Sequence, residues 1–139
     1  MTGNGDLHAG LAGLRILLVE DEAMVAMLIE GMLEELGCKV VDWAASVPAA
    51  LRAVERDGFD GALLDVNLGG APVYPVAELL AGRSLPFIFV TGYGRTADSL
   101  GRFPHAAVLK KPFDRAELGR MLRKQIAGPP NRASASAPA

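Results

Sequence analysis

One cysteine and two histidines are the only thiol and imidazole groups in this 139-residue chain. Cys38 has no partner for an internal disulfide, which fits a reducing compartment, and a cytoplasmic location is expected. His8 and His105 form no Cys–His or His–His spacing of the kind zinc needs. Neither sits in a pattern that argues for a phosphohistidine. The net charge is −2, so there is no basic excess and no expectation of nucleic acid binding. No apolar run approaches the roughly 18–20 residues of a membrane span. The start, Met1 to Asp6, lacks both a basic segment and an apolar signal core. Gly92 and Gly94 lack the G-x-x-x-x-G-K-[ST] spacing of a phosphate-cradling loop. Ser46 and Ser99 have no nucleophilic triad around them, and no internal repeat is visible.

What is present is a chain of which 50% is apolar, enough for a core at this length. One domain of ordinary size is expected. Residues 1–13 are Gly-rich and read as a flexible N-terminus. Residues 128–139 hold no large apolar side chain and read as a disordered tail. Residues 14–127 are the expected folded unit, standing alone without an output domain.

Strands and helices alternate through that unit. The first strand is placed at 14–19. The helix after it carries Val25, Leu28, Ile29, Met32 and Leu36 as an apolar stripe, and Gly37 closes it. The second strand is Lys39–Trp43, with Trp43 expected in the core. Ser46 caps a second helix whose buried face is expected to include Ala50, Leu51 and Val54. The third strand ends at Asp65. A short helix follows over 76–81, then a strand beginning after Pro86. The segment Thr96–Gly101 offers only Ala97 and Leu100 as apolar contacts, so the fourth helix is expected to be short, frayed or absent. Asp114 and Glu117 form a capping box for the last helix. The methionines read as packing. Five strands alternating with helices imply an α/β fold with a parallel sheet and right-handed crossovers.

The chemistry sits at the strand ends. Ile16–Val19 runs into Glu20-Asp21-Glu22, and Gly61–Leu64 into Asp65-Val66-Asn67. Phe87–Val90 runs into Thr91, and Ala106–Leu109 into Lys110-Lys111-Pro112. Ligands of open α/β sheets bind at the carboxyl ends of the strands. Three carboxylates crowded at one strand end repel one another, so a cation there has a physical motive. Glu22 is also placed to complement a helix dipole.

The order acidic cluster, D-x-N, T-G, K-P-F resembles the receiver domain of bacterial two-component response regulators. The likeness covers about 14–127. The stretch Pro86–Gly94 is similar to single-domain alphaproteobacterial receivers with a Phe-Ala-Thr-Gly-type motif after the fourth strand, Val90 replacing the alanine. This resemblance implies a flavodoxin-like (βα)5 doubly wound fold, strand order 2-1-3-4-5, and a cis Lys111–Pro112 bond. It implies Asp65 as phosphoacceptor. It implies Mg²⁺ held by Asp21, Asp65 and the Asn67 backbone carbonyl, with Glu20 acting largely through water. Lys111 and Thr91 would contact the phosphoryl oxygens, helped by backbone N–H groups after Asp65. The implied partners are a sensor histidine kinase, of the type serving general stress or light responses, and a phosphotransfer or downstream regulatory protein. The implied role is an adaptor or a phosphate sink, with self-catalysed phosphorylation and dephosphorylation but no ordinary enzyme turnover.

Two departures matter. Val108 occupies a position that is usually aromatic, so the usual threonine–aromatic coupling cannot operate; Tyr93 is a nearby substitute. Leu68-Gly69-Gly70 stands where a proline is common, which should loosen that loop. A switch by ordering of residues 91–102 on phosphorylation is expected. Two rivals stay open. An aspartyl-phosphate phosphohydrolase usually needs D-x-D, and Asn67 lacks the proton-transfer function. An unphosphorylated pseudo-receiver binding module would not need the acidic cluster and Lys111.

Overall fold

The computed structural model describes residues 10–92 and 103–127. Strand β1 is Arg15–Val19, helix α1 Ala23–Glu35, strand β2 Lys39–Ala44 and helix α2 Val47–Arg56. Strand β3 is Gly61–Asp65. The short strands β4 (Asn67–Leu68) and β5 (Ala71–Pro72) form a separate hairpin. Helix α3 is Tyr74–Gly82, strand β6 Phe87–Thr91, strand β7 Ala107–Lys110 and helix α4 Arg115–Leu122, which runs on as a π-helical turn to Ala127. The expected fourth helix, Tyr93, residues 1–9 and residues 128–139 lie outside the described residues. Leu11, expected in the flexible start, is instead fully buried in the core.

The main sheet is parallel with order β2-β1-β3-β6-β7. With the hairpin set aside, that is the expected 2-1-3-4-5 order. The central strands β1 and β3 are apolar and buried between Arg15 at the start of β1 and Asp65 at the end of β3, because helices cover both faces. Successive side chains divide between the two layers. Leu17, Val19, Leu64 and Phe89 pack on α2 and α3. Ile16, Leu18, Leu63 and Ile88 pack on α1 and α4. Phe89 meets Tyr74, Phe87 and Phe103 at ring-centroid distances of 5.3–6.2 Å.

Local signals behave as their chemistry requires. Ser46 accepts a hydrogen bond from the Ala49 N–H, and Asp114 and Glu117 close the capping box. Gly37 adopts a positive φ of 92° just past α1. Cys38 is free and buried, and burial pushes its thiol up to about 11, which makes it inert.

Five expectations are corrected. Of the expected α1 stripe, Ile29 and Leu36 are buried and Val25 and Met32 pack against the core, but Leu28 is 64% exposed and Ala26 and Leu33 are buried as well. On α2, Ala53 rather than Leu51 joins Ala50 and Val54 in the core. Met24 and Met27 are exposed, and Trp43 is 46% exposed because β2 is an edge strand. The loop after Asp65 is not loosened. Gly69 and Gly70 have φ of 56° and 90°, the signs a two-residue primed turn needs, and buried Leu68 anchors the hairpin.

Two predictions arise here. A Cβ on Gly61 would stand 2.6–2.8 Å from three side-chain carbons of buried Ile126. Gly61→Ala should therefore cost about 1–3 kcal/mol. A circular dichroism melt should show a fall on the order of 5–15 °C. The second concerns acid stability. Asp60 accepts from the Arg15 backbone N–H at 2.7 Å and from its guanidinium at 3.0 Å. Burial raises the Asp60 carboxyl, but these Arg15 contacts outweigh it and hold it below the usual value. A depressed carboxylate stabilises the fold above the unfolded-state value, about 3.9, and that contribution is lost as pH falls through the lower folded value. The melting difference between wild type and Asp60→Asn should be constant above pH 5 and shrink below pH 4.

Candidate functional site

The site forms where β1, β3, β6 and β7 end on one edge of the sheet. β1 delivers Glu20 and Asp21, β3 ends on Asp65, β6 ends on Thr91, and Lys111 follows β7 directly. Register makes this convergence. Val19 pairs with Leu64, Asp65 with Val90, and Thr91 with Lys110, so the strand ends lie level.

Carboxylate oxygens of Glu20, Asp21 and Asp65 all lie within 4.8 Å of one another. Lys111 Nζ stands 3.3 Å from Glu20 Oε1 and 3.9 Å from Asp65 Oδ2. Lys110, one residue earlier, is exposed and points away from this cluster into the groove between β7 and α4. The Lys111 backbone N–H donates to the Thr91 carbonyl at 2.7 Å, and the Lys111–Pro112 bond is cis.

Glu20 is buried, at 1% exposure. Burial pushes its carboxyl up to about 7, Asp65 adds to the rise, and the Glu22 N–H and Lys111 oppose it. The Asp65 carboxyl is also raised, first by burial and further by Asp21, against the pull of Lys111, Glu20 and the Asn67 N–H. The site thus holds more negative charge than one ammonium balances. Hard carboxylate oxygens at this spacing fit a divalent cation of the Mg²⁺ kind, which needs only a few protein oxygens and keeps its waters.

The remaining expected residues are close by. Thr91 is buried, and its hydroxyl donates to the Gly92 carbonyl at 3.1 Å. The Asn67 N–H faces Asp65 Oδ1 at 3.4 Å, whereas the Val66 N–H is used by the Val90 carbonyl. The Asn67 side chain accepts from the Gly70 N–H at 3.0 Å and so shapes the hairpin turn. Glu22 is the N-cap residue of α1 but makes no side-chain cap bond. His105 is exposed. One participant was missed by sequence reasoning. Trp43 donates its indole N–H to the Glu20 carbonyl at 2.7 Å. Nothing in the spacing of the sequence announces that contact, because it depends on the register of β2 against β1.

The model of the response regulator receiver domain matches residues 16–123. The chain belongs to this family. Among solved structures it is similar to SdrG from Sphingomonas melonis Fr1, at 45% identity and TM-score 0.70, covering 79% of this chain and 93% of that one. It is also similar to the receiver domain of the sensor histidine kinase PA1611 from Pseudomonas aeruginosa PAO1, at 37% identity and TM-score 0.69, covering 80% and 95%. That structure has a magnesium ion coordinated in its active-site cleft. Among curated proteins it is 32% identical over 114 residues to the transcriptional regulatory protein YvrH of Bacillus subtilis, covering 80% of this chain and 48% of YvrH. The receiver spans about half the length of the curated relatives it matches. Among the described residues, no helix is long and apolar enough to cross a membrane.

Proposed function

We propose that this receiver takes a phosphoryl group from a sensor histidine kinase onto Asp65 in a Mg²⁺-dependent reaction. The observation that carries the reading is Lys111 Nζ, 3.9 Å from Asp65 Oδ2 in a cluster of three carboxylates. A carboxylate cannot approach a phosphoryl dianion unless charge is cancelled, and catalysis of this transfer is mostly positioning and electrostatics.

Asp65, Asp21 and the Asn67 carbonyl would hold the metal, with Glu20 acting largely through water. When bound, Mg²⁺ would neutralise charge on the phosphoryl oxygens. An Asp65 carboxylate oxygen forms the new bond to phosphorus as the donor's bond to phosphorus breaks. Lys111 supplies a point charge to the phosphoryl oxygens. The Thr91 hydroxyl turns from the Gly92 carbonyl to donate to another. Hydrolysis later returns Asp65 to its free form, so the domain is a phosphoryl carrier and not an enzyme of ordinary turnover. Residues 14–127 make up the receiver, and Leu11, just ahead of them, is buried in its core. Signalling runs through contacts with a phosphotransfer or downstream regulatory protein, or the domain acts as a phosphate sink, in the cytoplasm.

The test is incubation with acetyl phosphate, with and without Mg²⁺, read by intact mass. A stoichiometric gain of one phosphoryl group in Mg²⁺ alone is expected. Sustained turnover of a generic phosphate monoester would favour the phosphohydrolase instead. Failure to bind Mg²⁺ would favour a pseudo-receiver.

A further inference from the structure

Trp43 is the only tryptophan of the chain, and burial does not account for it. It lies near the end of an edge strand, 46% exposed, beside Met27 and Val41. Large apolar side chains at such positions bring little to the core. Its indole N–H, however, is committed: it donates to the Glu20 carbonyl at 2.7 Å.

That carbonyl is in an unusual place. Glu20 is the first residue after β1, and its own N–H still pairs with the Ala44 carbonyl at 3.0 Å. Beyond it the chain leaves the sheet through Asp21 and the N-cap residue Glu22 to enter α1 at Ala23. A carbonyl at such an exit has left the strand ladder and needs another donor. The indole supplies one from the neighbouring strand. The Glu20 carbonyl and the Asp21 N–H belong to one planar peptide unit. Fixing the carbonyl therefore fixes the plane from which Asp21 begins.

Both residues flanking that plane carry carboxylates of the cluster. The Glu20 side chain accepts from the Glu22 N–H at 3.2 Å and from Lys111 at 3.3 Å. The acidic turn is thus held from inside by its own side chain and from the sheet edge by Trp43. We propose that Trp43 is a positioning residue: its indole N–H holds the Glu20–Asp21 peptide so that the acidic pair is preorganised for a divalent cation. This rests on the Mg²⁺ reading of the site for its purpose, but the clamp itself exists without metal.

Three proteins test it: wild type, Trp43→Phe, and Met27→Ala. Phenylalanine keeps an aromatic ring and removes the donor. Met27→Ala disturbs the same groove and leaves the bond intact. Mg²⁺ titration by calorimetry should give a Kd about two- to tenfold weaker for Trp43→Phe, the worth of one hydrogen bond. Met27→Ala should match wild type. In metal-free protein, backbone amide exchange at Asp21 and Glu22 should speed up several-fold in Trp43→Phe alone. Equal weakening in both variants, or unchanged Kd and exchange in Trp43→Phe, would overturn the proposal. A wild type that binds no Mg²⁺ would remove the functional reading, and the metal-free exchange would still decide whether the clamp exists. Should Trp43→Phe not fold, the wild-type indole proton decides: exchange at the rate of a free indole overturns the clamp, and marked protection supports it.

Discussion

Asp65→Asn should gain no phosphoryl mass from acetyl phosphate under conditions where the wild-type receiver gains one equivalent. The amide is close to the carboxylate in shape, so the fold should survive. It lacks the anionic oxygen that must form the bond to phosphorus. The alternative acceptors near the site, Glu20 and Asp21, differ from Asp65 in surroundings. Glu20 is buried at 1% exposure with its oxygens used by Lys111 and the Glu22 N–H. Asp21 has no contact with Lys111 within ion-pair distance among the described residues, whereas Asp65 lies 3.9 Å from Nζ. Phosphorylation should therefore fall to background, not shift to a neighbour. A full mass gain in Asp65→Asn would remove Asp65 from the mechanism. Its metal-free melting temperature should also equal or exceed that of wild type, since one of three crowded negative charges is gone.

Asp21→Asn should move two readouts in opposite directions. The three carboxylates lie within 4.8 Å of one another, and two unit charges at that distance repel by roughly 3 kcal/mol at an effective dielectric of 20. Lys111 offsets part of this at Glu20 and Asp65. Removing the Asp21 charge should leave a net gain of about 1 kcal/mol without metal, on the order of 4 °C in melting temperature. The same change removes a proposed metal ligand, so Mg²⁺ affinity should drop at least tenfold, or about 1.4 kcal/mol. With Mg²⁺ at a hundred times its Kd, wild type should gain about 2.7 kcal/mol from binding, and the variant much less. The order of the two melting temperatures should then reverse between EDTA and Mg²⁺. Scanning fluorimetry under both conditions reads this directly. A variant that is less stable than wild type in EDTA, or that keeps the full Mg²⁺ shift, contradicts the account of the site as a charge-crowded cation cradle.

Much of the site was legible in the sequence because strand ends are. An apolar run that stops at a charged residue marks both the strand and its edge, and in a parallel sheet the carboxyl ends fall together. Glu20, Asp21, Asp65, Thr91 and the pair Lys110-Lys111 could be placed on one edge for that reason, and the resemblance to receivers, through Lys111-Pro112, singled out Lys111. Caps were legible too, since Ser46, Asp114 and Glu117 act within three residues of themselves. Helix faces were harder. On α1, Ile29 and Leu36 of the expected stripe are buried and Val25 and Met32 pack against the core, but the apolar surface is broad enough that Leu28 falls outside it while Ala26 and Leu33 fall inside. The hairpin after Asp65 was not legible, because two adjacent glycines suit a loose loop as well as a tight turn, and only their positive φ of 56° and 90° makes the turn.

Sequence by itself determined the alternating elements, the caps and the residues delivered to the sheet edge, because each depends on neighbours a few positions away. Only the tertiary structure decided which face of α1 is buried and how far burial raises Glu20. It alone set the position of Lys111 between two carboxylates and of Trp43 on the Glu20 carbonyl. Those outcomes depend on strand register and on desolvation, which act between residues far apart in the chain and leave no local pattern to read.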